Sequence, residues 1–246
     1  MNADSLTRRV AKPLVFLLCL LPVAWLLAGI LGWEGAPLGA NPVEKVQDTL
    51  GVWGLRLLLV TLAVTPLRVI GGWPRVHLFR RMLGLFAFFY ITLHFLWYLF
   101  VDQASDWGQL LADVAKRPFI TAGFTALVLL APLAATSTKR AMRRLGRRWQ
   151  KLHRLIYVAA ILGCVHFWWQ VKADIREPLV YASITALLLG WRLHPYFRRR
   201  APATSAPPSN AGARAKGAER DARQDQQAAG SRAPVQLLAD QPPAQQ

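Results

Sequence analysis

Residues 82–101 read MLGLFAFFYITLHFLWYLFV, twenty consecutive positions without an Asp, Glu, Lys or Arg and with one histidine, His94. A soluble helix carries an apolar stripe, whereas this run is apolar around its whole girth. At 1.5 Å per residue it covers about 30 Å, the thickness of a bilayer's hydrocarbon core. Working outward, five more blocks of similar character occur, at residues 13–32, 51–67, 119–135, 152–170 and 178–194. The pattern predicts an all-α, polytopic membrane bundle of six transmembrane helices. The first block is longer than the apolar core of a secretory signal and no small-x-small cleavage site follows it, so it is counted as a helix. Tryptophans near many block ends, among them Trp33, Trp73, Trp107, Trp149 and Trp191, suit interfacial belts.

The chain has 246 residues, 54% of them hydrophobic, and a formal net charge of +17. In a soluble protein that charge would suggest a nucleic-acid partner; here its distribution points to the membrane instead. Arg8, Arg9 and Lys12 precede the first block. Arg68, Arg75, Arg80 and Arg81 lie around the second connection. Lys139, Arg140, Arg143, Arg144, Arg147, Arg148 and Lys151 fill the fourth, and Arg192 and residues 198–200 close the last block. The other connections are acidic or neutral, with Glu34, Glu44, Lys45 and Asp48, then Asp102, Asp106, Asp113, Lys116 and Arg117, then Lys172, Asp174, Arg176 and Glu177. Basic connections that alternate with acidic ones predict both termini in the cytoplasm of a bacterial inner-membrane protein, with some attraction to anionic membrane lipid. Residues 1–12 then form a cytoplasmic N-terminus and residues 13–200 the membrane domain. Residues 201–246, rich in Ala, Pro and Gln, form a tail with too little bulky apolar surface to fold.

Cys19 and Cys164 both lie inside apolar blocks, as small buried side chains rather than a disulfide or thiolate metal site. There is no Gly-rich nucleotide loop, and no connection is long enough for a Rossmann-type domain.

Ionisable groups inside spans are costly and therefore candidates for function. Three histidines qualify: His94 in the third block, and His153 and His166 in the fifth. His77 and His194 lie at block ends and are expected to be interfacial. The third and fifth blocks run in the same direction. His94 lies 12 residues beyond Met82 and His166 lies 14 beyond Leu152, which sets them within about 3 Å of one depth. Two imidazoles on neighbouring helices at one depth are what a six-coordinate b-type haem iron requires. His153 precedes His166 by 13 residues, about 19 Å along a helix and about 140° around it. That rise suits a second haem towards the cytoplasm, but the angle does not. The corresponding depth of the third block holds Arg80 and Arg81, which suit haem propionates or a phosphate. Other readings of the same histidines are interhelical hydrogen bonding or a proton relay in a transporter.

The stretches RRMLGL at 80–85 leading to TLH at 92–94, and ATST at 135–138 through LGRRWQKLHRLIY at 145–157 to VH at 165–166, resemble the MsrQ family over about residues 10–200. That family belongs to the ferric-reductase-like transmembrane superfamily. The resemblance implies a non-catalytic, haem-binding redox subunit with intramembrane ligands at His94, His153 and His166. Relatives with two complete haem sites carry a further histidine where Arg80 or Arg81 stands here, so one or two haems remain open at this point. It also implies FMN, on no residue identifiable here. The implied partner is a soluble periplasmic molybdopterin enzyme of the MsrP type that reduces methionine sulfoxide in oxidised proteins. Electrons would come from the quinone pool or from a cytoplasmic flavin reductase. A transmembrane ferric or other metal-ion reductase of the same superfamily is the alternative enzyme reading.

Overall fold

The structure is a computed structural model and describes residues 7–103, 106–171 and 174–193. The expectations for the N-terminal six residues, His194, the arginines at 198–200 and the tail at 201–246 fall outside the described residues. So does the placement of the two termini.

A π-helical turn, Thr7–Ala11, leads into α1, Lys12–Ile30. It is followed by α2, Pro42–Ile70, a 3₁₀ turn Pro74–Leu78, and α3, Arg80–Trp97, continued by a π turn Tyr98–Asp102. Next come α4, Trp107–Lys116, and α5, Pro118–Ala135. Two short helices, α6 Lys139–Leu145 and α7 Arg147–Leu152, precede α8, Leu155–Gln170, and α9, Arg176–Leu193. The chain is thus an all-α, multi-pass membrane protein. Among the described residues five helices are long and apolar enough to cross a bilayer: Arg9–Ile30, Pro42–Ile70, Arg80–Asp102, Pro118–Ala135 and Arg147–Gln170. The sixth block forms α9, whose 18 residues include Arg176, Glu177 and Arg192. It packs along α8 and α2 but does not qualify by apolar length alone.

Local chemistry sets most boundaries. Asn41 caps α2, its Oδ1 accepting from the Glu44 backbone N–H at 3.3 Å while its Nδ2 donates to Glu44 Oε2 at 2.8 Å. This cap starts the helix nine residues before the apolar block, and Pro42 suits the first turn. Thr138 caps α6 and Asp106 caps α4 through bonds to Ala141 N at 3.1 Å and Gln109 N at 2.9 Å. Gly146, at φ 49°, turns the chain between α6 and α7, a conformation that a side chain disfavours.

The core is built from two helix pairs, α2 with α3 and α5 with α8, which join through α3–α5 and α2–α8 contacts. Small residues allow the close approach, as in other membrane bundles: Ala87, Ala159 and Ala160 are fully buried. α1 lies at the periphery and presents Leu14, Leu17, Leu21 and Leu27 outward, as a lipid-facing helix does. Its attachment is specific. Pro22 interrupts its hydrogen-bond ladder, and the buried Tyr90 hydroxyl of α3 enters the gap, donating to Cys19 O at 2.7 Å and accepting from Val23 N at 3.1 Å. Lipid has no water with which to satisfy those groups, so the inserted hydroxyl completes the backbone of α1.

Candidate functional site

The structure brings His94 and His166 together. Their ring centres are 6.0 Å apart with the planes at 82°. Each ring is held in the same way. His94 Nδ1 donates to Gln47 O on α2 at 2.9 Å, and His166 Nδ1 donates to Phe119 O on α5 at 2.7 Å. A carbonyl oxygen only accepts, so Nδ1 carries the proton and Nε2 keeps its lone pair, the form a metal ligand needs.

Four residues beyond each carbonyl stands a glycine that the site requires. A Cβ at Gly51 would lie 3.0 Å from both Cε1 and Nδ1 of His94. One at Gly123 would lie 2.7 Å from His166 Nδ1. The unit of a carbonyl at position i, a glycine at i+4 and a facing histidine therefore occurs twice, once in each helix pair. Neither glycine was singled out in the sequence; the available signal was the spacing Gln47–Gly51 and Phe119–Gly123 at block starts.

Two imidazoles ligating one iron from opposite faces, each with a metal–nitrogen bond of about 2 Å, bring their ring centres to about 6 Å. The measured spacing agrees. Among the described residues no three His, Cys, Asp or Glu side chains gather around a common point. A two-imidazole site therefore fits a metal whose remaining ligands come from a macrocycle. The Gln47 amide nitrogen lies 3.4 Å from His94 Nε2, and its buried Oε1 has no partner. Thr92 Oγ1, two residues before His94, is likewise buried without a partner.

His153 stands apart, in a two-residue break between α7 and α8. The break answers the angular difficulty, because the two histidines do not lie on one continuous helix. His153 stacks on Trp149 at 3.8 Å and its Nδ1 donates to Trp149 O at 3.1 Å. Trp149 is itself held by its Nε1 bond to Thr136 O at 3.0 Å. His153 Nε2 is buried with no hydrogen-bond partner; what it shares with the other two histidines is an Nδ1 bonded to a backbone carbonyl.

The two arginines diverge. Arg80 is within electrostatic reach of His153, Arg192, Arg68 and Tyr157. Arg81 instead lines a groove between α1 and α3 with Lys12, Phe16 and Met82 and is not brought to His153. Arg192, first read as a topology charge, was missed as a member of this cluster. It donates to Tyr157 Oη, to Leu62 O at 3.2 Å and to Thr65 Oγ1 at 3.0 Å, and its buried Nε has no partner. Its guanidinium carbon lies 4.9 Å from the Tyr157 ring centre. All eight acidic residues among the described ones lie in or within two turns of the connections at 31–41, 98–117 and 171–175, so none neutralises this end. His77, exposed in the 3₁₀ turn, bonds Pro74 O and takes no part. Cys19 and Cys164 are free and buried, as expected.

The family model for the ferric reductase like transmembrane component matches residues 50–164. Curated relatives cover far more. A protein-methionine-sulfoxide reductase heme-binding subunit MsrQ from Rhodospirillum rubrum is 52% identical over 193 residues, 78% of this chain and 91% of the relative. The same-named protein of Bordetella pertussis is 51% identical over 211 residues, 82% of this chain and all of the relative. That of Xanthomonas campestris pv. campestris is 48% identical over 218 residues, 85% and 98% of the two chains. No solved structure matches.

Proposed function

Since the chain belongs to the MsrQ family of haem-binding subunits, we propose that it is the electron-transfer subunit of a methionine sulfoxide reductase system, itself non-catalytic. One observation carries the reading: two intramembrane imidazoles lie with ring centres 6.0 Å apart and both Nδ1 protons committed to carbonyls. His94 and His166 would hold the iron of a b-type haem, which would supply one-electron chemistry when bound. The Gln47 and Phe119 carbonyls hold the rings in the ligating tautomer and raise the basicity of Nε2. Gly51 and Gly123 let them approach. Phe119, tilted on His166 at 6.2 Å, and the Phe95–Phe124 pair at 5.7 Å keep the surroundings apolar, which excludes water.

His153 would ligate a second haem or mark the cytoplasmic point at which electrons arrive. Arg80, beside it, would pair with a propionate or phosphate; Arg81 is better placed for lipid headgroups. FMN remains part of the reading through family likeness alone. The donor would be the quinone pool or a cytoplasmic flavin reductase. The acceptor would be a periplasmic molybdopterin reductase of the MsrP type, which repairs oxidised periplasmic proteins. No connection among the described residues is large enough to bind a protein substrate, consistent with sulfoxide reduction on a separate subunit.

The test is the dithionite-reduced minus oxidised visible spectrum of the purified full-length protein and of His94→Ala, His166→Ala and His153→Ala. The first two should lose the same b-type component. The third reports whether His153 carries its own haem. A well-folded wild type, prepared with haem available, that binds none would overturn the reading.

A further inference from the structure

Lys12 is the first residue of α1 and Arg81 the second of α3. Both line one groove of about 510 Å³ between the two helices. An apolar stripe runs on from each cation at helical spacing. Phe16 and Leu20 follow Lys12 by one and two turns, and Leu85 and Phe89 follow Arg81 in the same steps. The stripes lie side by side and run in the same direction. Phe16 meets Phe86 edge to face at 5.1 Å, and further along Tyr90 is bonded to Cys19 O and Val23 N. The groove therefore has its cations near the start of two spans, apolar walls, and a far end tied by Tyr90. Phe16 is 46% and Phe89 39% exposed, so these rims leave the groove open along its length to the hydrocarbon around the bundle.

We propose that this groove holds one anionic glycerophospholipid, its phosphate between Lys12 and Arg81 and one acyl chain laid along the two stripes. Each feature narrows the occupant. Among the described residues no acidic side chain lines the groove, so the two cations select an anion. A small soluble anion would leave the apolar walls unfilled. A neutral ring or fatty chain would leave both cations without a counter-charge. A zwitterionic lipid would bring its own cation against them. The stripe from Lys12 to Leu20 rises about 12 Å, most of the roughly 15 Å that one leaflet gives to the hydrocarbon core.

The bound lipid bridges α1 and α3 at the end that the Tyr90 contact does not reach, and it stabilises the folded chain by mass action. The inference extends the lipid role given to Arg81 above and does not depend on electron transfer. The haem spectrum is recorded beside it, so the two readings fail separately.

The test is native mass spectrometry and thermal unfolding of the full-length protein, delipidated in detergent and then offered dioleoyl phosphatidylglycerol or dioleoyl phosphatidylcholine. Wild type should retain one phosphatidylglycerol and prefer it about 30-fold, the combined weight of two interfacial cations. Arg81→Gln should cut that preference about 5-fold, and Lys12→Gln with Arg81→Gln should abolish it. Leu85→Trp, which fills the groove and keeps both cations, should lose the retained lipid; should it fail to fold, the glutamine variants decide. Arg143→Gln with Arg144→Gln makes the same charge change on α6, outside the groove, and should behave as wild type. Equal retention of the two lipids by wild type, or an equal loss in the α6 variant, overturns the site in favour of diffuse attraction. Wild-type retention by Leu85→Trp overturns it too, because the acyl chain then lies elsewhere. Inorganic phosphate that raises the melting temperature as much as phosphatidylglycerol gives the cations to a free anion, and a dimer that Leu85→Trp splits gives the groove to a second copy. A b-type spectrum lost with Arg81→Gln returns Arg81 to the haem and overturns the lipid site.

Discussion

Gly123→Ala tests the histidine clamp directly. The added Cβ would lie 2.7 Å from His166 Nδ1, 3.0 Å from Cε1 and 3.1 Å from Cγ. Ordinary carbon contacts sit near 3.5–4.0 Å, so the ring must retreat by about 1 Å. Such a retreat breaks the 2.7 Å bond to Phe119 O and frees the ring to rotate. Losing that bond costs about 0.5–1.5 kcal/mol and overpacking a further 1–3 kcal/mol. Part of this is relieved by movement of α5 against α8, so a net loss of about 1.5–3 kcal/mol, or roughly 10- to 150-fold in haem affinity, is expected. Haem per protein and the reduced-minus-oxidised spectrum measure it, alongside thermal unfolding in detergent. Gly163→Ala is the control on the same helix pair, since its Cβ would meet Leu55 Cδ1 at an unstrained 3.6 Å. A Gly123→Ala protein with full haem and an unchanged spectrum would refute the clamp, and with it the claim that the glycines belong to the site.

Three further outcomes follow from named contacts. Tyr90→Phe leaves Cys19 O and Val23 N without the inserted hydroxyl and should lower stability by about 1–3 kcal/mol, read as a lower melting temperature with the haem spectrum retained. Arg192→Met removes three hydrogen bonds between α9, α8 and α2. It should destabilise the end of the bundle that holds Arg80, His153 and Arg192 by about 2–4 kcal/mol, seen as faster proteolysis at residues 136–154, with Arg192→Lys rescuing little because one ammonium cannot reach all three acceptors. Asp113→Ala leaves the Tyr98 hydroxyl, bonded at 2.6 Å, and Arg117, at 3.2 Å, unpaired beside a buried position. It should release α4 at a cost of about 2–4 kcal/mol, measured as increased amide exchange confined to residues 98–117; uniform exchange across the bundle would contradict that assignment.

How much of this was legible beforehand differs element by element. The five long spans show in composition because lipid tolerates only apolar girth, and His94, His153 and His166 stand out because each is rare in that setting. The depth match of His94 and His166 follows from residue counting along helices of constant rise. α4 lies in a stretch whose acidic residues read as a connection, although Asp106 before Leu110, Leu111 and Val114 is a short amphipathic signature. The break at His153 had no Pro or Gly to announce it. It arises where Trp149 is tied to Thr136 O and stacks under the imidazole, contacts that depend on how the 136–146 turn folds back rather than on any local breaker residue.

Membrane spans, histidine depth and the asymmetry of charge are one-dimensional properties, set by hydrophobicity and helix rise, and the sequence alone determined them. The tertiary structure alone decided which faces meet: that Gly51 and Gly123 sit under the two imidazoles, that Arg80 and not Arg81 approaches His153, and that Arg56 of α2 meets the Tyr181 hydroxyl of α9. In a bundle apolar on every side the sequence carries no amphipathic signal for rotation about the helix axis. Rotation is fixed instead by small residues, inserted hydroxyls and carbonyl–histidine bonds, which exist only once helices distant in sequence are side by side.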